Sequence, residues 1–351
     1  METYLKGRGA QINPKNPFSK SEYVTEHIEG LDEEEFPERP GRQLFYETPQ
    51  GIISKFNSPD LGGEGLSINP YQGCEHGCIY CYARNSHQYW GFSAGIDFET
   101  KIIIKKNASQ LLEKALISRS WVPRPIMISG NTDCYQPIER TEKITRSLLQ
   151  VFAKYRNPVR MITKNRLILR DLDILKDLAS DNLISVFISI NSVDENLRLK
   201  MEPRTASASK RFETIEKLAS AGIPVGVMVA PVIPGLNDHE IPNVIQKAAE
   251  AGASGCGYEV VRLNGSVGTI FKDWLVKNFP DKALKVWSQI ESLHGGKVND
   301  SEWGRRMIGD GKYAMMIARL YQTSKDKYMK DRQIPNLCRT KFRKGGNLTL
   351  F

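Results

Sequence analysis

Gly73-Cys74-Glu75-His76-Gly77-Cys78-Ile79-Tyr80-Cys81-Tyr82 is the stretch from which the rest of the chain can be read. Its cysteines are separated by three residues and then by two. Three thiolates on one tight loop match three corners of a cubane iron–sulfur cluster. No fourth cysteine follows nearby, whereas a fully ligated electron-transfer cluster or a structural zinc site takes four protein ligands. Three ligands leave one iron open to a small molecule. The competing reading is a zinc knuckle completed by His76 or His87. His76 lies inside the first spacer, where ligation strains the loop, so His87 is the more feasible fourth ligand.

Outward from this loop a rhythm begins near residue 60. Short, β-branched apolar runs occur at 66–69, 125–129, 159–163, 183–190, 224–230 and 255–261, and they read as buried parallel strands. Between them lie amphipathic helices predicted over 141–155, 170–180, 210–221 and 238–251, with Gly222 and Gly252 at two helix ends. This alternation predicts either a βα-barrel or an open doubly wound sheet, which periodicity alone does not separate. Beyond 263 the pattern turns helical, over 267–278, 281–293 and 301–329. Residues 1 to about 40 are polar and end in the acidic run Asp32-Glu-Glu-Glu-Phe-Pro-Glu-Arg-Pro. They read either as a loosely draped arm or as a strand-free cap.

The 351 residues carry a formal net charge of +9, with 40% hydrophobic and 25% charged residues, as in ordinary globular proteins. No apolar run is long enough to span a bilayer, and the N-terminus lacks a secretory apolar stretch. The expectation is a cytoplasmic protein. Cys134, Cys256 and Cys338 are scattered, which argues against a disulfide framework and for metal binding by the clustered three.

Cys-x3-Cys-x-aromatic-Cys after the first strand of a βα-barrel, with Tyr80 in the aromatic place, resembles the radical S-adenosylmethionine (SAM) superfamily. The resemblance implies a partial (β/α)6 barrel over residues 61–262. The irregular N-terminal arm spans 1–60, a helical C-terminal extension 263–335, and a basic tail 336–351. It also implies a [4Fe–4S] cluster on Cys74, Cys78 and Cys81, with SAM on the open iron. A flavodoxin- or ferredoxin-type electron donor is the expected partner.

Within that superfamily, Cys-Tyr-Ala-Arg84, Glu202-Pro-Arg-Thr205 and the polar strand ends resemble the spore photolyase group over residues 66–262. These ends are Ser129-Gly-Asn-Thr132-Asp133, Thr163-Lys164-Asn165, Ser189-Ile-Asn191 and the loop from Ala230 to Asp238. The resemblance implies Tyr80, Thr132, Asp133, Lys164, Ser189 and Asn191 at the SAM site, and Tyr82 at the reacting centre. One departure stands out. Where spore photolyases carry a hydrogen-donating cysteine, this chain has Gly130. Cys134 is then either a displaced donor or a small buried loop residue.

Lys325–Lys344 contains eight Lys or Arg and two Asp, among them Lys341, Arg343 and Lys344, with Tyr328 and Phe342 nearby. Such a segment suits either a nucleic-acid backbone or plain solvation. The end, Asn347-Leu348-Thr349-Leu350-Phe351, resembles the motif by which bacterial repair proteins dock on the DNA sliding clamp, with Asn in place of Gln. Together these features predict radical chemistry on a nucleic acid, with damaged DNA as one candidate. The rivals are a peptide, metabolite or tRNA substrate, and a clamp-associated binding protein whose cluster is structural or redox-sensing.

Overall fold

The computed structural model describes residues 4–18 and 41–345. The acidic run 32–40 and the clamp-like residues 347–351 lie outside the described residues. The strands are β1 (Gln43–Glu47), β2 (Ile53–Ser58), β3 (Gly63–Ile68), β4 (Tyr71–Gln72), β5 (Lys101–Lys105), β6 (Ile126–Ile128), β7 (Val159–Thr163), β8 (Ile184–Ser189), β9 (Val225–Val232) and β10 (Gly255–Val260). The helices are α1 (Ile96–Thr100), α2 (Ala108–Ile117), α3 (Glu139–Glu142), α4 (Ile144–Tyr155), α5 (Leu172–Ser180), α6 (Glu195–Met201), α7 (Ala208–Ser220), α8 (Ile241–Glu250), α9 (Ser266–Asn278), α10 (Ala283–Leu293) and α11 (Gly311–Tyr328).

β3, β6, β7, β8, β9 and β10 pair in that order and all in parallel, with β2 antiparallel on the outer side of β3. A doubly wound sheet reverses its strand order at a switch point. This order never reverses, so the chain winds one way as a partial six-stranded βα-barrel. A small second sheet, β1-β5-β4, sits beside it.

The core lies on the convex side of the barrel sheet. Ile126, Ile128, Met161, Val186, Ile188, Val225 and Val227 point that way with the period of two of a strand, and are buried against Leu148, Phe152, Leu175, Leu218 and Val244. Their alternates Met127, Ile162, Phe187 and Met228 line the concave side and are only half-buried. A strand with one face in the core and one in an open lumen presents a surface for a substrate.

Three expectations need correction. The segment read as an irregular arm contains β1 and β2, which escaped notice because their residues are largely exposed and do not alternate cleanly. The predicted helix over 301–329 begins only at Gly311. Residues 301–310 form a loop interrupted by Gly304 and Gly309, and the Asp310 side chain caps α11 by accepting from the Gly311 amide. The third concerns the basic tail, which crosses the N-terminal ends of the strands. The Arg332 guanidinium donates to the Ala249 and Ala253 carbonyls ahead of β10. The Cys338 amide donates to Asn182 ahead of β8, and the Arg343 amide to Tyr155 ahead of β7. Ile334 fills the space beside Gly226 and Gly255, where an added methyl would meet its Cδ1 at 2.8 Å and its Cγ1 at 3.1 Å respectively. The tail therefore floors the barrel, on the side away from the cysteine loop.

Candidate active site

The cysteine loop follows β3 and β4, at the C-terminal mouth of the barrel, where βα enzymes place their chemistry. Backbone bonds shape it: Cys74 N donates to Phe98 O at 2.8 Å, Ile79 N to Met201 O at 3.0 Å, and Cys81 N to Cys78 O at 3.3 Å. Gly77 turns the loop at φ 69°. Gly9, from the N-terminal segment, approaches so closely that a methyl on it would lie 1.8 Å from the Gly77 oxygen.

A buried ion pair holds this contact. Arg84 and Glu99 are both 0% exposed and meet at 2.6 Å. Arg84 also donates to the carbonyls of Gly77, Cys78, Ala94 and Gly95. The Glu99 carboxylate accepts the amides of Gly9 at 3.1 Å and Ala10 at 2.8 Å. Each charge is dry but fully bonded, the condition under which a buried pair is tolerated. Residues 4–18 are therefore packed on the body here, with Ala10 and Asn16 buried.

All three cysteines are free thiols, Cys74 and Cys78 buried and Cys81 half-buried. Burial pushes the Cys78 and Cys81 thiols up, and the neighbouring cysteines add to the rise. A metal must displace those protons. Among the described residues no three His, Cys, Asp or Glu converge as ligands of a single ion. Three thiolates on one loop, each able to take a separate iron, fit the donor set of a cubane. His76 lies against the Cys74 thiol and is also taken up by Asp133 at 3.4 Å and Asn165 at 3.2 Å. His87 is enclosed against Phe92 and Phe98.

Around the loop the strand ends bring several expected residues together. The Tyr80 hydroxyl is bonded to Glu202 and accepts from Asn191 Nδ2 at 3.3 Å. The Lys164 ammonium stands 6.0 Å from the Tyr80 ring centroid. Burial alone would lower Lys164, but the Cys78 and Glu202 charges raise it and keep it cationic. Asn191 Oδ1 is buried without a partner among the described residues. Tyr82, 49% exposed, donates its hydroxyl to the Gly130 carbonyl at 2.5 Å.

Other expected residues turn their polar atoms inward. Thr132 donates to the Tyr71 carbonyl at 2.7 Å. Asp133 accepts from Thr163 Oγ1 at 2.7 Å and the Lys164 amide at 2.8 Å. Burial would push its carboxyl up, yet the His76 charge and these bonds hold it at about 2. Asp133 thus ties β6, β7 and the cysteine loop together. Ser189 is the exception: the period of two puts its side chain on the concave side with Phe187, while its backbone carbonyl accepts from Arg211 Nη1 at 2.8 Å. Cys134 is 0% exposed within the convex-side core, and burial raises its thiol strongly. The geometry favours the buried loop residue over a displaced hydrogen donor, because the Ser129–Asp133 turn sends the side chain away from the lumen.

Sequence reading missed Glu99 and Arg211, weighed His76 only as a zinc ligand, and missed what Glu202 does. Glu202 and Arg211, 0% and 1% exposed, form a second dry ion pair, which holds the Tyr80 hydroxyl and Thr205. Arg211 lies in a helix where a solvated cation is the ordinary reading. The only hint was the Glu202-Pro-Arg-Thr205 segment.

The sequence model described as the Radical SAM superfamily matches residues 68–248. An uncharacterized protein of Mycobacterium tuberculosis is 32% identical over 61% of this chain, and the match spans 64% of that relative's length. The radical SAM Nα-GlyT isomerase of Pseudomonas phage M6 is 23% identical over 65% of this chain and 46% of its own. Among solved structures, spore photoproduct lyase complexed with a dinucleoside spore photoproduct superposes with a TM-score of 0.58 at 16% identity. It covers 81% of this chain and 79% of its own, a likeness of fold.

Proposed function

This chain belongs to the radical SAM superfamily, and from that premise we propose that it holds a [4Fe–4S] cluster on Cys74, Cys78 and Cys81, binds SAM beside it, and abstracts hydrogen from a nucleic-acid substrate. The carrying observation is the set of three free thiols on one loop, braced by the Arg84–Glu99 pair at the mouth of an open half-barrel. Bound there, the cluster and SAM supply the reductive cleavage that yields a 5′-deoxyadenosyl radical, chemistry outside the reach of side chains.

The chain's own residues bind, orient and exclude water. Lys164 offsets an anionic group of the ligand, and the unpartnered Asn191 Oδ1 accepts from a cationic or hydroxyl group. Tyr80, fixed by Glu202, walls the pocket, while Thr132, Asp133 and Ser189 hold the strand ends around it. Tyr82, at the rim, is the side chain best placed to relay a hydrogen atom. Support for a nucleic-acid substrate comes from the net charge of +9, the open concave face, and the likeness of fold to an enzyme solved with a dinucleoside photoproduct. A flavodoxin or ferredoxin would supply the electron, and the terminal Asn347–Phe351 would dock on a sliding clamp.

The test is anaerobic reconstitution with iron and sulfide, then dithionite and SAM, with 5′-deoxyadenosine as the readout and Cys78→Ala as control. Product lost in the control supports the reading. No product from protein carrying an intact, reducible cluster overturns it.

A further inference from the structure

We infer that the open seam of the half-barrel, between β10 and the β2–β3 hairpin, seats one unpaired nucleobase, stacked on Trp303 and read at its edge by Glu259 and Arg262. This rests on the nucleic-acid reading above and adds where the base is held and by what.

The seam is built from one strand and one loop. Along β10, Cys256 and Tyr258 face outward to Tyr321 of α11, with the Cys256 sulfur 3.6 Å from the Tyr321 hydroxyl and the tyrosine rings 4.5 Å apart. Alternation then turns Gly257 and Glu259 to the concave side. Gly257 adds no side chain to that side, where a methyl would already touch Met228 at 3.1 Å. Across the seam, loop 301–310 is pinned at both edges. The Val260 amide donates to the Met307 carbonyl at 2.9 Å, while Gly304 N and Arg306 Nε each donate to Asp60 at 2.6 Å. The Arg306 guanidinium lies 3.6 Å from the Trp303 ring centroid and backs one face, yet Trp303 stays 49% exposed. A flat, fixed, half-open indole is a stacking platform.

Glu259 and Arg262 are half-buried, and among the described residues neither side chain makes a hydrogen bond or ion pair. Burial acts on both, pushing the Glu259 carboxyl up and the Arg262 guanidinium down. They lie within electrostatic reach of each other, of Tyr82 and Lys164 on the cysteine-loop side, and of Asp60 and Arg306 on the hairpin side. A bare phosphate would meet the Glu259 charge, and a hydrocarbon would leave both charges dry and unpaired. A ring with an N–H beside a C=O satisfies all three groups: N–H to Glu259, C=O to Arg262, and its π face to Trp303. That is the edge and face of a nucleobase, free only when the base has left its stack and partner. A peptide amide carries the same edge but brings no aromatic face to Trp303.

The experiment uses the reconstituted full chain without reductant. Fluorescence anisotropy follows binding of labelled oligothymidylate, oligodeoxyadenylate and their duplex. Single strands are expected to bind more tightly than the duplex. Trp303→Ala should weaken single-strand binding about tenfold, with Trp303→Phe recovering most of it. Glu259→Gln should shift the thymidylate-to-adenylate affinity ratio about threefold or more, at parental iron content. If Trp303→Ala and Glu259→Gln bind both strands like the parent, the seam assignment is wrong while the nucleic-acid reading stands. A parent that binds no strand defeats the nucleic-acid reading and the seam with it. Binding of a capped peptide but of no oligonucleotide, sensitive to Trp303→Ala, overturns the base assignment in favour of a peptide.

Discussion

The two ends of the barrel are built on opposite principles. At the mouth, charges are dry: Arg84–Glu99, Glu202–Arg211 and His76–Asp133 bring side chains 0–11% exposed into contact. At the floor, Ile334 fills a gap and the tail hangs on carbonyls before the strands, while Lys341, 58% exposed, sits 3.9 Å from Asp181. Buried charges are costly to unpair, whereas exposed ones are worth little. The comparison teaches that the numerous basic residues of the tail carry less of the molecule's architecture than a few hidden charges around the cysteine loop.

The sharpest way to break the comparison is to unpair a charge at the mouth. Glu99→Ala strands Arg84 and frees the Gly9 and Ala10 amides, with an expected loss of about 3–5 kcal/mol. Thermal unfolding of the cluster-free protein should show it, and iron content after reconstitution should fall well below parental. A parental melting temperature together with a full iron load would mean the pair is ornamental. Glu202→Gln keeps the shape but removes the charge that Arg211 and the Tyr80 hydroxyl share. It should cost about 2 kcal/mol and weaken SAM binding, measured by calorimetry, with the iron load retained.

At the floor, Ile334→Ala removes a half-buried plug and should cost about 1–2 kcal/mol, leaving iron content and SAM binding unchanged. Loss of iron in this variant would show that floor and mouth are coupled. The smallest effect is expected from neutralising Lys341, Arg343 and Lys344 together, about 0.5 kcal/mol or less in stability. Because these residues lie away from the mouth, the salt dependence of oligonucleotide binding should keep its slope. A slope lowered by two or more would place the strand along the floor instead.

Much of the frame was legible in the sequence because it is local. The runs at 159–163 and 183–190 differ from β7 and β8 by a residue at most at each end, since β-branched runs flanked by turns have few other solutions. Where polar and apolar residues mix without period, as in β1 and β2, the signal failed: β1 takes its partner from distant β5, and β2 is the largely exposed outer strand of a hairpin with β3. The helix predicted over 301–329 failed across residues 301–310 for a similar reason. Its residues are amphipathic enough, but Asp60, some 240 residues away, captures Gly304 and Arg306.

By itself, the sequence determined the cysteine triad, its place after a strand and the alternation of strands and helices, all matters of spacing between near neighbours. Strand order, and with it barrel over doubly wound sheet, was settled only by the tertiary structure. So were the pairing of Glu99 with Arg84 and of Arg211 with Glu202, the inward turn of Cys134, and the passage of the basic tail beneath the barrel. The physical reason is that a charged or polar residue looks alike in sequence whether water or a distant partner satisfies it. Burial, which makes that partner decisive, is a property of the folded whole.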